Sequence, residues 1–438
     1  MASSEEPGSS SQLQIKFLAA DEALAVPSTT LSVPSSTSSD GLNKILQKLL
    51  EESCDDLDEE ELAKKTFEFV VLDSFLRGSL AEFLEGRTEV SAESVLEITY
   101  LERNPPPNPE KNVNHDDWVA GVSVCKNYVL TACYDNTISI FERGEKKLTI
   151  PGHSGPARDV VWISLDEEAG VGTFASCAHD QIVNLYQWNI STNAIDCVNA
   201  CKGHERSADC LAVDASKTYL ASGSFDTNLK VWSTKLQTSK SKDEEDGEEV
   251  EETEKKKSKI SGKRALTRTP MMTLAGHKEG ISGVAWTEEN EILTSSWDHT
   301  IKVWDFEMGG MKSELVGNKS FFGLSYSTLN RTIITASADR AIRVYDPRSK
   351  DGVIVKAQFT SHNGWVTCVD WCNERENLFI SGGHDQLVKL WDRRSFASPL
   401  YDLKGHDDRI LCCDWSERDF VVSGGCDNSV KLFKSNVS

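Results

Sequence analysis

Five histidines in this chain, each after a Gly or Ser, stand 21 to 27 residues ahead of an aspartate: Gly152-His153, Gly203-His204, Gly276-His277, Ser361-His362 and Gly405-His406. An imidazole can act as a general base, as the partner of a nucleophile or as a zinc ligand. Each role needs a second group at a fixed spacing. No HExxH, GxSxG or P-loop pattern supplies one. The twelve cysteines are scattered through apolar runs, as at Cys368, Cys412 and Cys413, and the pairs Cys197/Cys201 and Cys368/Cys372 are spaced too widely for zinc knuckles. They form no spaced disulfide framework, so a reduced, intracellular protein is expected. No constellation for catalysis is left, nor one for a metal of the protein's own.

The histidines have a regular companion instead. An aspartate followed six positions later by an aromatic residue recurs seven times: Asp135/Phe141, Asp180/Tyr186, Asp226/Trp232, Asp298/Trp304, Asp339/Tyr345, Asp385/Trp391 and Asp427/Phe433. Segments such as HTIKV and QLVKL lie between the two marks, and their alternation is that of a half-buried strand. Successive aspartates are 41 to 46 residues apart, apart from one gap of 72. That period matches a four-stranded propeller blade of roughly 40–45 residues. Over three quarters of its length the chain therefore resembles the WD-repeat family, which implies an all-β seven-bladed propeller. The resemblance makes the seven aspartates and their histidines structural: the carboxylate sits in a tight turn and accepts bonds from the histidine and nearby backbone. A strand from around residues 110–124 is expected to complete the last blade and remove the exposed edges.

In WD-repeat proteins the residue before the turn aspartate tends to face the narrow top surface. Here those residues are Tyr134, His179, Phe225, Trp297, Ala338, His384 and Cys426. Tyr134, Phe225 and Trp297 are costly to leave in water and are typical interface anchors. Trp365 and Arg409, each three residues after a marked histidine, are expected beside them. This gives an interaction face.

The 438 residues carry 47 Lys+Arg against 69 Asp+Glu, a formal net charge of −22. That balance argues against holding DNA or RNA mainly through a basic surface, leaving direct RNA contact open. No run of about 18 apolar residues occurs, so no membrane span is expected. The start, MASSEEPGSSSQ, is polar and acidic, without the order of a secretory signal. The long gap between aspartates holds a charged insertion at about 236–268, acidic first and basic after, which cannot bury a core and is expected to be disordered. Its basic part, Lys255, Lys256, Lys257, Lys259, Lys263 and Arg264, fits a nuclear-import signal or an RNA contact.

Residues 1–110 hold 22 acidic and only 8 basic residues. After a disordered leader at 1–12, residues 13–103 read as strand, strand, helix, strand, strand. The strands are at Leu13–Leu18, Ala25–Val33, Phe67–Val71 and Ser94–Tyr100, with Asp40 capping a helix over 41–52. This is the order of an α+β ubiquitin-like (β-grasp) domain. Residues 104–112, with Pro105-Pro106-Pro107-Asn108-Pro109, read as a stiff linker, and 113–438 as the propeller.

The combination resembles the Notchless-like family of ribosome-assembly factors. The residues that carry it are FEFVVLDSFLRGSLAEFL, VSAESVLEITY and the HDDWV at the junction. The Ser-rich leader and the acidic stretch 54–65 depart from the family. The resemblance implies a non-enzymatic role in maturing the large ribosomal subunit and its rRNA, in the nucleolus and nucleoplasm. It implies a trimeric complex with block-of-proliferation protein and pescadillo on pre-60S particles. It also implies that Glu93 is offered to the Mg²⁺ of the adhesion site of the midasin ATPase, with Glu89 and Glu97 as near alternatives and Arg77 supporting the same surface. Mg²⁺ is a hard cation that takes oxygen ligands, and it would belong to the partner. A second reading is a substrate receptor of a cullin-RING ubiquitin ligase, since Tyr345-Asp346-Pro347-Arg348 and Trp391-Asp392-Arg393-Arg394 match an adaptor-docking pattern.

Overall fold

The computed structural model describes residues 12–21, 24–53, 65–85, 95–236, 265–348 and 355–435. They fall into two compact units, the first taking in the described residues up to Pro106 together with Asp392–Leu400 and the second the rest.

The first unit is built on one mixed sheet. Strand β1 (Gln12–Ala19) pairs antiparallel with β2 (Thr30–Pro34), helix α1 (Ser39–Ser53) follows, then β3 (Phe67–Val71), the two-residue β4 (Ser74–Phe75), the short helix α2 (Leu80–Leu84) and β5 (Val95–Glu102). The sheet order is β2-β1-β5-β3-β4, with β1 and β5 parallel at its centre. Such a parallel pair needs a long crossover. Here the crossover carries α1, whose Leu42, Leu46 and Leu50 recur every four residues and are buried against Ile15, Phe17, Phe69, Ile98 and Tyr100. This is the β-grasp arrangement. Two local expectations change. Ser38, not Asp40, receives the start of α1, its Oγ accepting the Gly41 N–H at 3.4 Å. Asp40 lies inside the first turn, where its charge meets the positive end of the helix. Gln12 is already part of β1 rather than of a leader.

Seven further sheets appear among the described residues, each built on four antiparallel strands. Their inner strands run Val119–Cys125, Ala157–Asp166, Ala208–Val213, Ile281–Trp286, Phe321–Ser327, Val366–Trp371 and Ile410–Asp414. Each inner strand packs on the next, and the last returns to the first, so the sheets form a closed ring. Buried carboxylates sew neighbouring sheets together at the centre. Asp159 accepts the Leu211 N–H at 2.8 Å, Asp370 the Trp415 N–H at 2.7 Å and Asp414 the Val124 N–H at 2.7 Å. Burial pushes Asp159 up to about 7 and raises Asp370 and Asp414 as well.

The ring closes earlier in the chain than the sequence suggests. The segment read as a linker at 104–112 ends inside a strand, β6 (Asn108–Asn114), which pairs antiparallel with the C-terminal strand Ser429–Lys434. Val119–Cys125, the other end of the expected 110–124 range, is the inner strand of the first sheet. Pro109 is tolerated because β6 is an outermost strand, where a missing N–H breaks no inner ladder. The charged insertion is also shorter than 236–268. Leu266–Arg268 adds a parallel fifth strand to the second sheet, and the Arg268 guanidinium donates to the carbonyls of Ser233 and Lys235. The insertion falls within the third sheet, between its third strand Asn228–Ser233 and its outer strand Met272–Ala275, which pair with each other.

Candidate functional site

The marked aspartates sit where the second and third strands of each sheet turn. In the third, fourth and sixth sheets four side chains form one line. In the fourth, Trp304 Nε1 donates to Thr294 Oγ1 at 2.8 Å, Thr294 meets His277 Nε2 at 2.7 Å, and His277 Nδ1 meets Asp298 at 2.8 Å. Trp232–Ser222–His204–Asp226 and Trp391–Ser381–His362–Asp385 repeat it. Every donor is used when each hydroxyl donates to Nε2 and each Nδ1–H to the carboxylate. The histidines are thus spent on architecture. Burial would raise Asp298, but its bonds from Thr300, Lys278 and His277 outweigh that and hold it at about 2. Asp226 stands at about 2 for the same reasons, with His204 the leading donor.

The hydroxyl of each line was missing from the sequence reading. Ser176, Ser222, Thr294, Ser381 and Ser423 each precede their aspartate by four residues, a spacing as regular as the aromatic six residues after it. Two turns depart from the pattern. Asp135 bonds Thr137 through its hydroxyl and N–H, and Asp339 is taken by Arg343.

At the edge of the ring that carries these turns, aromatic side chains gather. Phe225, Trp297 and Trp365 keep 37%, 41% and 51% of their surface exposed. They touch one another rather than folding singly onto their own sheets: Phe225 meets Trp297 edge-on at 5.5 Å, Trp297 meets Phe322 at 6.4 Å, and Phe322 meets Trp365 at 5.8 Å. Tyr134 packs on Trp118 at 5.6 Å, and Arg409 lies over the Trp118 ring at 5.4 Å. Arg158 bridges the mouth of the central channel, donating to Tyr134 Oη at 2.5 Å and to Asp209 at 3.1 Å. Trp118, Phe322 and Arg158 were not singled out from sequence. They come from inner strands and junctions that share no period with the turns. The arrangement can bind a surface; among the described residues, no group of three His, Cys, Asp or Glu side chains is placed to hold a metal.

In the first unit, Glu93 and Glu89 lie outside the described residues, as do Lys255, Lys256, Lys257, Lys259, Lys263 and Arg264. Glu97 is exposed on β5 opposite Lys16 of β1. Arg77 pairs with Glu68 at 3.2 Å and lies 5.1 Å over the Phe75 ring, tying the β3–β4 turn to the sheet. The arginines of the adaptor-docking pattern serve their own turns: Arg348 and Arg394 each clasp the aspartate two residues before them, Asp346 and Asp392.

A family described as the NLE (NUC135) domain matches residues 13–84. A second, described as the WD domain, G-beta repeat, matches 195–233, 268–305, 354–392 and 397–434. The three inner strands of the first, second and fifth sheets fall outside those repeats, and the first and fifth are the two without a histidine–aspartate pair. Full-length relatives are close. The chain is 46% identical over 431 residues to a protein of Aedes aegypti named Ribosome biogenesis protein WDR12 homolog, covering 98% of this chain and 97% of that one. A Culex quinquefasciatus protein of the same name is 46% identical over 428 residues, covering 98% and 96%. One from Ixodes scapularis is 45% identical over 429 residues, covering 98% and 99%.

Proposed function

The chain belongs to the WDR12 family of ribosome biogenesis proteins, and from that premise we propose that it is a non-catalytic assembly factor for the large ribosomal subunit. The observation that carries this reading is the order of parts: a β-grasp unit of the NLE type, then a closed seven-sheet ring, matched along nearly the whole length of proteins named for ribosome biogenesis. A ring with five histidines turned to structural bonds with its turn aspartates, and with an aromatic exposed edge, suits binding rather than chemistry. In this reading the ring docks on block-of-proliferation protein in a complex with pescadillo, on pre-60S particles of the nucleolus and nucleoplasm. Lys255, Lys256, Lys257, Lys259, Lys263 and Arg264 serve import. Glu93 completes the coordination of Mg²⁺ in the midasin adhesion site, and ATP hydrolysis by midasin removes the complex. The acidity of the first unit speeds encounter with a positive partner.

The test is binding of the full-length chain to the isolated midasin adhesion-site domain, with Mg²⁺ and with EDTA. Wild type is expected to bind only with metal. Glu93→Ala should abolish binding, and Glu93→Asp, with its carboxylate drawn back by one methylene, should weaken it at least about tenfold. Binding that ignores both metal and Glu93 would remove the release mechanism and leave a ring of unknown client.

A further inference from the structure

The fifth sheet carries one of the two turns that depart from the pattern. Where the fourth has Gly276-His277-Lys278, the fifth has Gly317-Asn318-Lys319, and its loop reaches the inner strand one residue sooner. In five sheets the residue after the histidine donates its backbone N–H to the turn aspartate, at 2.9 to 3.1 Å. Among the described residues no such bond ties the Lys319 loop to Asp339. The guanidinium of Arg343 takes that carboxylate in two bonds, of 3.2 and 2.6 Å. The residue after the aspartate is left-handed in the other six turns, as at Thr227 and His299, but not at Arg340. The loop keeps its backbone bond from the Ala338 N–H to the Ser320 carbonyl at 2.9 Å, and beside it a cleft of about 570 Å³ opens between the fifth and sixth sheets.

The charge in this cleft runs against the rest of the chain. Asp339, its carboxylate, is already neutralised by Arg343. Lys319 and Arg340 at the rim are both exposed, and neither has an ion-pair partner among the described residues. Two uncompensated cations therefore face outward on a chain of net charge −22. Trp365, half exposed, forms the opposite wall and continues into the aromatic row through Phe322. We propose that this cleft docks an acidic peptide segment of a partner protein, its carboxylates on Lys319 and Arg340 and an adjoining apolar side chain on Trp365. A nucleic-acid strand would also find cations and a ring to stack on. Its charge repeats at every nucleotide, however, and an acidic chain with only two free cations opposes it. A peptide brings one or two negative charges and an apolar anchor, which is what the cleft offers. This inference is independent of Glu93 and of the release mechanism.

Fluorescence anisotropy on the full-length chain tests it with three labelled probes. One is a peptide of consecutive glutamates followed by Leu-Phe, the second has lysines in place of the glutamates, and the third is an oligouridylate of similar length. The acidic peptide should bind and the lysine peptide should not. The double reversal Lys319→Glu/Arg340→Glu should weaken the acidic peptide by about tenfold or more, and Trp365→Ala by a similar factor. Lys278→Glu, at the matching loop position of the fourth sheet, should leave affinity within about twofold. Failure of the acidic peptide to bind, or indifference to the double reversal, overturns the proposal. So does tighter binding of oligouridylate that the same reversal removes, which would make the cleft a nucleic-acid site.

Discussion

Asp298 shows what one residue contributes to this architecture. Its carboxylate receives the Lys278 N–H, the Thr300 N–H and hydroxyl, and His277, all within 2.6 to 2.9 Å. Those donors favour the charged form against the cost of burial. The folded carboxyl, near 2, is therefore a stronger acid than the unfolded one, near 3.8. A depressed acid stabilises the fold above its unfolded value and loses that contribution as pH falls toward its folded value. Stability should accordingly decline from about pH 4 to pH 2. Asp298→Asn should cost about 1–3 kcal/mol in urea unfolding at neutral pH, because an amide cannot satisfy the same four donors. Its stability should also fall less steeply over that acid range, when the two titrations are compared. The aspartates and their aromatic partners were legible in sequence because each pair repeats at one spacing. The hydroxyl four residues before was equally regular, but serine and threonine are common enough to hide a period that a tryptophan makes plain.

At the scale of elements, legibility followed the apolar alternation. Every strand with two or more buried positions between a turn aspartate and its aromatic was visible, whereas β6 was not. Its sequence, NPEKNVN, has a single apolar residue, since an outermost strand packs only one side chain inward, and its proline looked like the end of a linker. That one residue, Val113, packs beside Val430, Leu432 and Cys412. Val113→Asp should cost about 2–4 kcal/mol, as a charge placed in an apolar cluster. Asn112→Ser, exposed on the other face of the same strand, should stay within about 0.5 kcal/mol. Chemical denaturation of both variants separates a closing strand from a passive linker. The aromatic edge illustrates the other limit. Tyr134, Phe225, Trp297 and Trp365 were found from the turns, but Phe322 and Trp118, which join them into rows, come from positions that no single repeat reveals.

At the scale of the molecule, the two units each have a core of their own. The β-grasp unit buries Ile15, Leu42, Leu46, Phe69 and Ile98 in one cluster, and the ring buries a separate series between its sheets. Separate cores unfold as separate cooperative units unless a large interface couples them. Calorimetry of the full chain should resolve two transitions. Residues 12–103 produced alone should reproduce one of them, and a protein lacking them should keep the other. A single transition that vanishes when the chain is divided would show one cooperative body instead. The ring also sets the timing of its own completion. Strand β6 leaves the ribosome about three hundred residues before its partner Ser429–Lys434. At ~5–20 residues per second, the nascent chain carries an unpaired edge for roughly 15 to 60 s. The ring thus cannot close until Ser429–Lys434 has emerged, and a chain broken off after Asn428 would leave it open for good.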